Sequence, residues 1–379
     1  MLQDVLSTAF GAMFWSILCA AKQPDPPFYA DKMNLLIYID ANGEKHSITT
    51  ATDWQKRREH ILANMQLVMG PLPDISQKVP LDVQVLEEVK LDKVTRQKIT
   101  FAAEKDDRPN FFFSEKKKFD QKEKKRNNFI VPAYLLIPND LKGKVPAMLC
   151  LHQTTKIGKG EPAGSGGNDN LHYALELAER GYVTLAPDYP NFGDYQFNPY
   201  EHGYASATMK GIWNHIRAVD LLQSLPQVDS ENIGCIGHSL GGHNSIFVAV
   251  FEPRIKVIVS SCGFNSFFKY YNGDLTGWSH NGYMPRIASV YEKDPNKMPF
   301  DFTELVAALA GRPFFINAPL KDSNFEVSGV KDCLKAAALV YELLGAKDHL
   351  VAVHPDVGHD FPPDVREAAY AFVDEWLKK

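Results

Sequence analysis

From Val145 to the C-terminus the sequence repeats one pattern, in which a short apolar run of β-compatible residues is followed by a turn and then by a stretch of helical period. The apolar runs are VPAMLCLH (145–152), YVTLAPDY (182–189), NIGCIGHS (232–239), KVIVSSCG (256–263), PFFINAPL (313–320) and HLVAVHP (349–355). Between and after them, NLHYALELAER (170–180), residues 206–225, LGGHNSIFVAVF (240–251), VKDCLKAAALVYELLG (330–345) and PPDVREAAYAFVDEWLKK (362–379) read as helices. A strand that is apolar along nearly its whole length cannot leave one face in water. The pattern therefore predicts an α/β fold with a mostly parallel central sheet and helices on both faces. Two earlier pieces, near 81–104 and 131–137, read as antiparallel edge strands. The chain contains no internal repeat. The glycines of EPAGSGGNDN lack both the order of a dinucleotide fingerprint and the lysine of a phosphate-binding loop.

The 379 residues exceed what one such core needs, and the excess falls in three places. Residues 1–21 are mostly apolar up to Lys22 and end on the small residues Cys19, Ala20 and Ala21, as a secretory leader does. A leader implies a secreted or periplasmic protein with no membrane span in the mature chain. Asp4 and the lack of an early Lys or Arg leave a membrane anchor, or an ordinary helix of a cytoplasmic protein, as the other readings. Residues 22–80 read as a helical N-terminal arm. TDWQKRREHILANMQLVM (52–69) places Trp54, Ile61, Leu62, Met65 and Val68 on one face before Gly70 and Pro71 stop it. The α/β core then runs over 81–379. It is interrupted at 108–130 by RPNFFFSEKKKFDQKEKKRNNFI, which reads as a solvated basic surface insert between two strands that could otherwise turn into each other.

The net charge of −5 hides two parts, an insert of +5 and a remainder of −10. An acidic body gives no reason to seek nucleic acid. The five cysteines, Cys19, Cys150, Cys235, Cys262 and Cys333, form no CxxC pair, so a zinc knuckle or a dithiol redox site is not expected. A mean hydropathy of −0.25 excludes a multi-span membrane protein.

Gly237-His238-Ser239-Leu240-Gly241, with Gly242 next, fits G-x-S-x-G at the point where an apolar strand turns into a helix. That setting strains the serine backbone and lifts its hydroxyl above the sheet. A serine hydroxyl needs a base, and His359, in the loop after the last strand, is the candidate; His354, at the strand's end, reads as structural. The group that orients the imidazole should follow the preceding strand, where Asp322 stands. Asp356 and Asp360 are too close to His359 in sequence to face it, and Asp188 reads as a residue that fixes its own loop. The backbone N–H of Leu240, at a helix N-terminus, is one oxyanion donor, and that of Thr154 or Gln153, in the loop after CLHQTT, is the other. His152 reads as a packing residue. A metal reading of His354 and His359 has no carboxylate or cysteine set to complete it, so neither a metal nor an organic cofactor is expected.

From about Leu81 onward, LHQTT, RGYVTLAPDYPNFGDY, GCIGHSLGGHNS and GHDFP together make the chain resemble an α/β-hydrolase of the dienelactone-hydrolase and acetyl-xylan-esterase-like branch, as a bacterial serine esterase. The resemblance implies hydrolysis of a carboxylic ester of a small molecule or carbohydrate through an acyl-enzyme on Ser239, Asp322 and His359. The chain departs from true dienelactone hydrolases, whose nucleophile is cysteine, and lacks the Gly-Gly-Ser-Gln-Gly elbow of cephalosporin-deacetylase-like esterases. Two other functions share the scaffold. One is a serine peptidase of the prolyl-oligopeptidase type, which normally carries a repeat-built propeller; the other is a non-catalytic binding protein. Residues 264–299 are too long for a simple crossover and read as a lid or substrate loop, with Trp278 and Tyr283 as candidate substrate-binding rings. Nothing in the sequence sets the oligomeric state.

Overall fold

The computed structural model describes residues 25–106 and 128–378. The apolar leader and most of the basic insert lie outside the described residues.

The chain begins with a small hairpin, β1 (Ile37–Ile39) and β2 (Lys45–Ser47), followed by helix α1 (Ala51–Met69). A nine-stranded sheet is then built from β3 (Gln84–Lys90), β4 (Val94–Lys105), β5 (Asn128–Pro138), β6 (Val145–Leu151), β7 (Val183–Pro187), β8 (Val228–His238), β9 (Ile255–Ser261), β10 (Phe314–Asn317) and β11 (Leu350–Val353). Its spatial order is β11-β10-β9-β8-β6-β7-β5-β4-β3. Strands β6 to β11 run parallel to one another, while β5, β4 and β3 are added as antiparallel edge strands. The connecting helices are α2 (Tyr173–Glu179), α3 (Ala207–Ser224), α4 (Leu240–Phe251), α5 (Arg286–Ser289), α6 (Phe302–Ala308), α7 (Val327–Leu343) and α8 (Pro363–Leu377).

Alternation along the parallel strands divides the core. Ala147, Leu149, Leu151, Cys235, Ile258 and Ile316 point to the side packed by α3, α4, α6 and α7. Met148, Cys150, Ile236, Val257, Val259 and Phe315 point to the side packed by α2 and α8. Successive side chains of a strand face opposite ways, so these uninterrupted apolar runs fill both layers.

The N-terminal arm is part of this core. Trp54, Ile61, Met65 and Val68 of α1 are buried in the same cluster as Phe302 and Leu305 of α6. Between the two helices Arg57 and Glu304 form an ion pair of 2.6 Å, both side chains fully buried. Two features depart from the sequence expectation. The arm is not purely helical, because β1 and β2 precede α1; three-residue strands are too short for alternation to reveal. Helix α6 was not anticipated, although its capping box is written in the sequence as Asp301-Phe302-Thr303-Glu304, with the Asp301 N–H donating to Glu304 Oε2 at 3.0 Å.

The insert stands where β4 and β5 would otherwise meet. These strands pair from Val94 opposite Pro138 to Lys105 opposite Asn128, so residues 128–130, assigned to the insert from sequence, belong to β5. Among the described residues no helix is long and apolar enough to cross a membrane.

Candidate active site

Strand β8 ends at His238 and α4 starts at Leu240, leaving Ser239 alone at the turn with φ 52° and ψ −114°. This is the left-handed side of φ, which a non-glycine residue occupies at a cost. The turn is held by the Ser239 N–H donating to the Ser261 carbonyl at 2.8 Å and the His243 N–H donating to the Ser239 carbonyl at 3.1 Å. The flanking glycines are required by crowding. A Cβ on Gly241 would sit 1.8 Å from the carbonyl oxygen of Leu151, and one on Gly237 would sit 2.3 Å from the backbone of Gly241. The ends of β6 and β8 and the start of α4 pass too closely for any side chain there.

Asp322 lies in the turn after β10 with its side chain almost fully buried, and accepts hydrogen bonds from the backbone N–H groups of Asn324 (2.8 Å) and Phe325 (3.1 Å). His359 lies in the loop after β11, and its Nδ1 is 2.9 and 3.0 Å from the two carboxylate oxygens of Asp322. Burial alone would raise the Asp322 pKa. The hydrogen bond and charge of His359 and the two backbone donors outweigh it, so the carboxyl is held below its ordinary value. With Asp322 ionised, Nδ1 carries the ring proton and Nε2 keeps its lone pair. The histidine loop is anchored by Asn317 Nδ2 donating to the Asp360 carbonyl (2.9 Å) and Asn170 Nδ2 donating to Asp360 Oδ2 (2.8 Å).

The His359 ring stands 4.8 Å, centroid to centroid, from that of His238, the residue before Ser239. The structure thus brings Asp322 and His359 together and places both beside the serine turn, at the carboxyl ends of parallel strands where ligands of open α/β sheets bind. Such a set can activate a hydroxyl, with Nε2 as proton acceptor and Asp322 as the group that orients the ring and stabilises its cation.

The oxyanion candidates sit around the same turn. Leu240 is the first residue of α4, so its N–H has no acceptor within the helix. Gln153 and Thr154 follow β6, and the Gln153 carbonyl accepts from His152 Nδ1 at 2.6 Å. His152 is buried and its Nε2 accepts from the Tyr189 N–H at 2.9 Å, so both ring nitrogens are committed to loop packing. Asp188 is likewise a loop-fixing residue: it accepts from the Lys159 backbone N–H, from Lys159 Nζ and from the Asp194 N–H. His354 Nδ1 lies 2.8 Å from the Ala318 carbonyl.

Trp278 requires a correction. It is 2% exposed, and its ring packs against His243, Phe267, Phe302, Phe325 and Tyr283. The segment 264–299 folds down on α4 and α6, so this indole fills the space beneath the loop and presents no face to a ligand. Tyr283 is part-buried against His243 and Thr154 at the edge of the site. Tyr271 and Phe268 are the exposed large aromatic rings of the segment; Tyr271 stands at left-handed φ 44°, and its hydroxyl lies 3.4 Å from Asn324 Oδ1 in the Asp322 turn.

Sequence reasoning missed the layer beneath the catalytic candidates. Asn317 Nδ2 donates to Ser261 Oγ (2.8 Å), which lies 2.8 Å from His238 Nδ1. Burial, and then the nearby His359, push the His238 pKa down to about 3, so this ring stays neutral. Its place inside G-x-S-x-G was a signal, but its partners come from β9 and β10 and only the fold reveals them.

The model of the prolyl oligopeptidase family matches residues 170–379. A Bacillus subtilis (strain 168) relative named "Putative hydrolase YtaP" is 28% identical over 260 residues, 65% of this chain and 83% of its own length. The 4-O-methyl-glucuronoyl methylesterase 1 of Wolfiporia cocos is 25% identical over 227 residues, and the match spans 55% of this chain and about half, 53%, of that relative. A solved glucuronoyl esterase from Solibacter usitatus superposes with a TM-score of 0.66 at 19% identity, covering 92% of this chain and 98% of its own. The last likeness shows the fold, an α/β-hydrolase fold.

Proposed function

The chain belongs to the prolyl oligopeptidase family, and from that premise we propose that it is a serine hydrolase of carboxylic esters, with Ser239 as nucleophile, His359 as general base and acid, and Asp322 as the group that holds the base. The observation that carries this reading is the Asp322–His359 pair at 2.9 Å, set beside a strained serine turn at the ends of neighbouring parallel strands.

His359 Nε2 takes the hydroxyl proton as Ser239 Oγ attacks the acyl carbon. The carbonyl oxygen, now an oxyanion, is met by the N–H of Leu240 and by that of Thr154 or Gln153. His359 returns the proton to the leaving alcohol, and water repeats the sequence to release the acid and regenerate the serine. No step calls on a metal or organic cofactor.

The substrate class is a carbohydrate ester. Two relatives bear esterase names for carbohydrate substrates, and the exposed Tyr271 beside the Asp322 turn offers a flat apolar face to a sugar ring. The apolar run ending at Ala21 supports export of the chain. The peptidase reading shares the family and the same three residues. A panel of acetylated sugars, glucuronate methyl esters, p-nitrophenyl esters and proline-containing p-nitroanilide peptides separates the two. The esters are expected to turn over and the peptides to remain intact, and turnover confined to the peptides would overturn the esterase assignment.

A further inference from the structure

We infer that Cys262, Asp322 and His359 form a site at which a borderline-soft divalent cation, Zn2+ or Cd2+, switches the enzyme off. The inference rests on the reading of His359 as the general base.

The Cys262 Sγ, a carboxylate oxygen of Asp322 and a ring nitrogen of His359 all lie within 4.8 Å of one another. Metal–ligand lengths of about 2.0 to 2.3 Å place the ligand atoms of a tetrahedral zinc roughly 3.3 to 3.8 Å apart, so the three need to close by about an ångström. Thiolate and imidazole are the donors that select such cations over Mg2+ or Ca2+, and zinc also accepts a carboxylate.

Two further observations point to the same spot. Cys262 is a free cysteine held at φ 46°, a strained setting, in the turn after β9. Beside it Asn317 has a buried Oδ1 with no hydrogen-bond partner, although its Nδ2 is fully engaged. Cys262, Asn317, Asp322 and Phe325 line one narrow space, too small for a water molecule, which a bare cation could enter on displacing the Nδ1–Asp322 hydrogen bond. His359 is partly open to solvent and gives the way in.

The switch works through the ring's tautomer. A neutral imidazole carries one ring proton, and in the active arrangement it is on Nδ1. A cation that takes the Nδ1 lone pair leaves that proton on Nε2, and the Cys262 thiol proton passes to water as the thiolate coordinates. Nε2 then donates instead of accepting, and Ser239 has no base, although its hydroxyl is untouched.

The test uses the full chain freed of metal by EDTA. Zn2+ and Cd2+ are expected to inhibit p-nitrophenyl acetate hydrolysis, Mg2+ to leave it unchanged, and EDTA to restore it. Cys262→Ser and Cys262→Ala, each read against its own metal-free rate, are expected to need at least tenfold more Cd2+ for half inhibition. In Ser239→Ala, which cannot turn over, Cd2+ is expected to give an ultraviolet thiolate-to-cadmium band that Ser239→Ala/Cys262→Ser lacks. That arm keeps the two readings apart: a Cys262-dependent band without any esterase activity sinks the functional assignment and leaves the cation site standing. Equal inhibition of wild type and both Cys262 variants, or no Cys262-dependent band, overturns the site. Should both Cys262 variants fail to fold, wild-type protein still decides. Cadmium must then block fluorophosphonate labelling of Ser239 at concentrations where Mg2+ does not, and unblocked labelling overturns the proposal.

Discussion

The two ends of the sheet hold two hydrogen-bonded pairs, each built on a buried carboxylate, with different consequences. At the parallel end, Asp322 holds His359 at 2.9 Å; the carboxylate is buried and the imidazole keeps about a quarter of its surface open (26%). At the antiparallel end, Glu104 of β4 holds Lys210 of α3 at 2.5 Å, with Lys210 fully enclosed and its ammonium set among the rings of Phe129, Phe197 and Tyr204. Burial pulls the Lys210 pKa down to about 8 even against the charge of Glu104. Both pairs are perturbed, and only the Asp322–His359 pair has a side chain open to a substrate, as its proposed role requires. The topology explains the difference. Parallel strands all end at one edge, so the turns after β6, β8, β10 and β11 converge there, whereas antiparallel strands send alternate turns to opposite edges and gather less around one point. The antiparallel end instead carries an ion pair that joins β4 to α3, and the basic insert.

Three substitutions and one deletion test this contrast, in order of expected effect. Asp322→Asn removes the charge that orients His359; kcat for p-nitrophenyl acetate should fall by roughly 10³- to 10⁴-fold with the melting temperature little changed. A small fall would mean that the pair is structural, like its counterpart. Lys210→Met should do the reverse. It leaves Glu104 buried without its cation, and urea unfolding should report a loss of roughly 3 to 5 kcal/mol while kcat of the folded enzyme stays near wild type. Trp278→Ala, which empties a core position beneath the substrate loop, should cost about 3 to 5 kcal/mol and leave KM for a small ester unchanged; a selective rise in KM would restore the indole to the binding surface. Deleting residues 108–127, which read from sequence as a solvated insert, should be nearly silent, with kcat for p-nitrophenyl acetate within about twofold. A large loss would move function toward the antiparallel end.

Much of the parallel half is legible in the sequence, because a strand buried on both faces must be apolar throughout and the helices between strands keep their 3.6-residue period. The serine turn is legible for the same local reason: Gly237, Gly241 and Gly242 record a crossing too tight for a Cβ. Asp322 and His359 could be placed by strand order alone. Trp278 was misplaced because an aromatic residue in a long loop has the same letter whether it covers a core or faces a ligand, and burial is decided by Phe267, Phe302 and Phe325 far away in the chain. Ser261, Cys262 and Asn317 carried no local signal for the layer they build with His238, since its contacts join three different strands of the sheet. Strands β1 and β2 were too short to show alternation.

The central claim is that Ser239 is a nucleophile activated at this turn, and labelling with a fluorophosphonate followed by peptide mass spectrometry tests it most directly. Wild-type protein should carry one phosphonyl adduct, on the peptide containing Gly237 to Gly242 and localised to Ser239, and Ser239→Ala should carry none while keeping its circular dichroism and losing ester turnover. An unlabelled Ser239 in folded, metal-free protein, or an Ser239→Ala variant that still hydrolyses p-nitrophenyl acetate at the wild-type rate, would contradict the account.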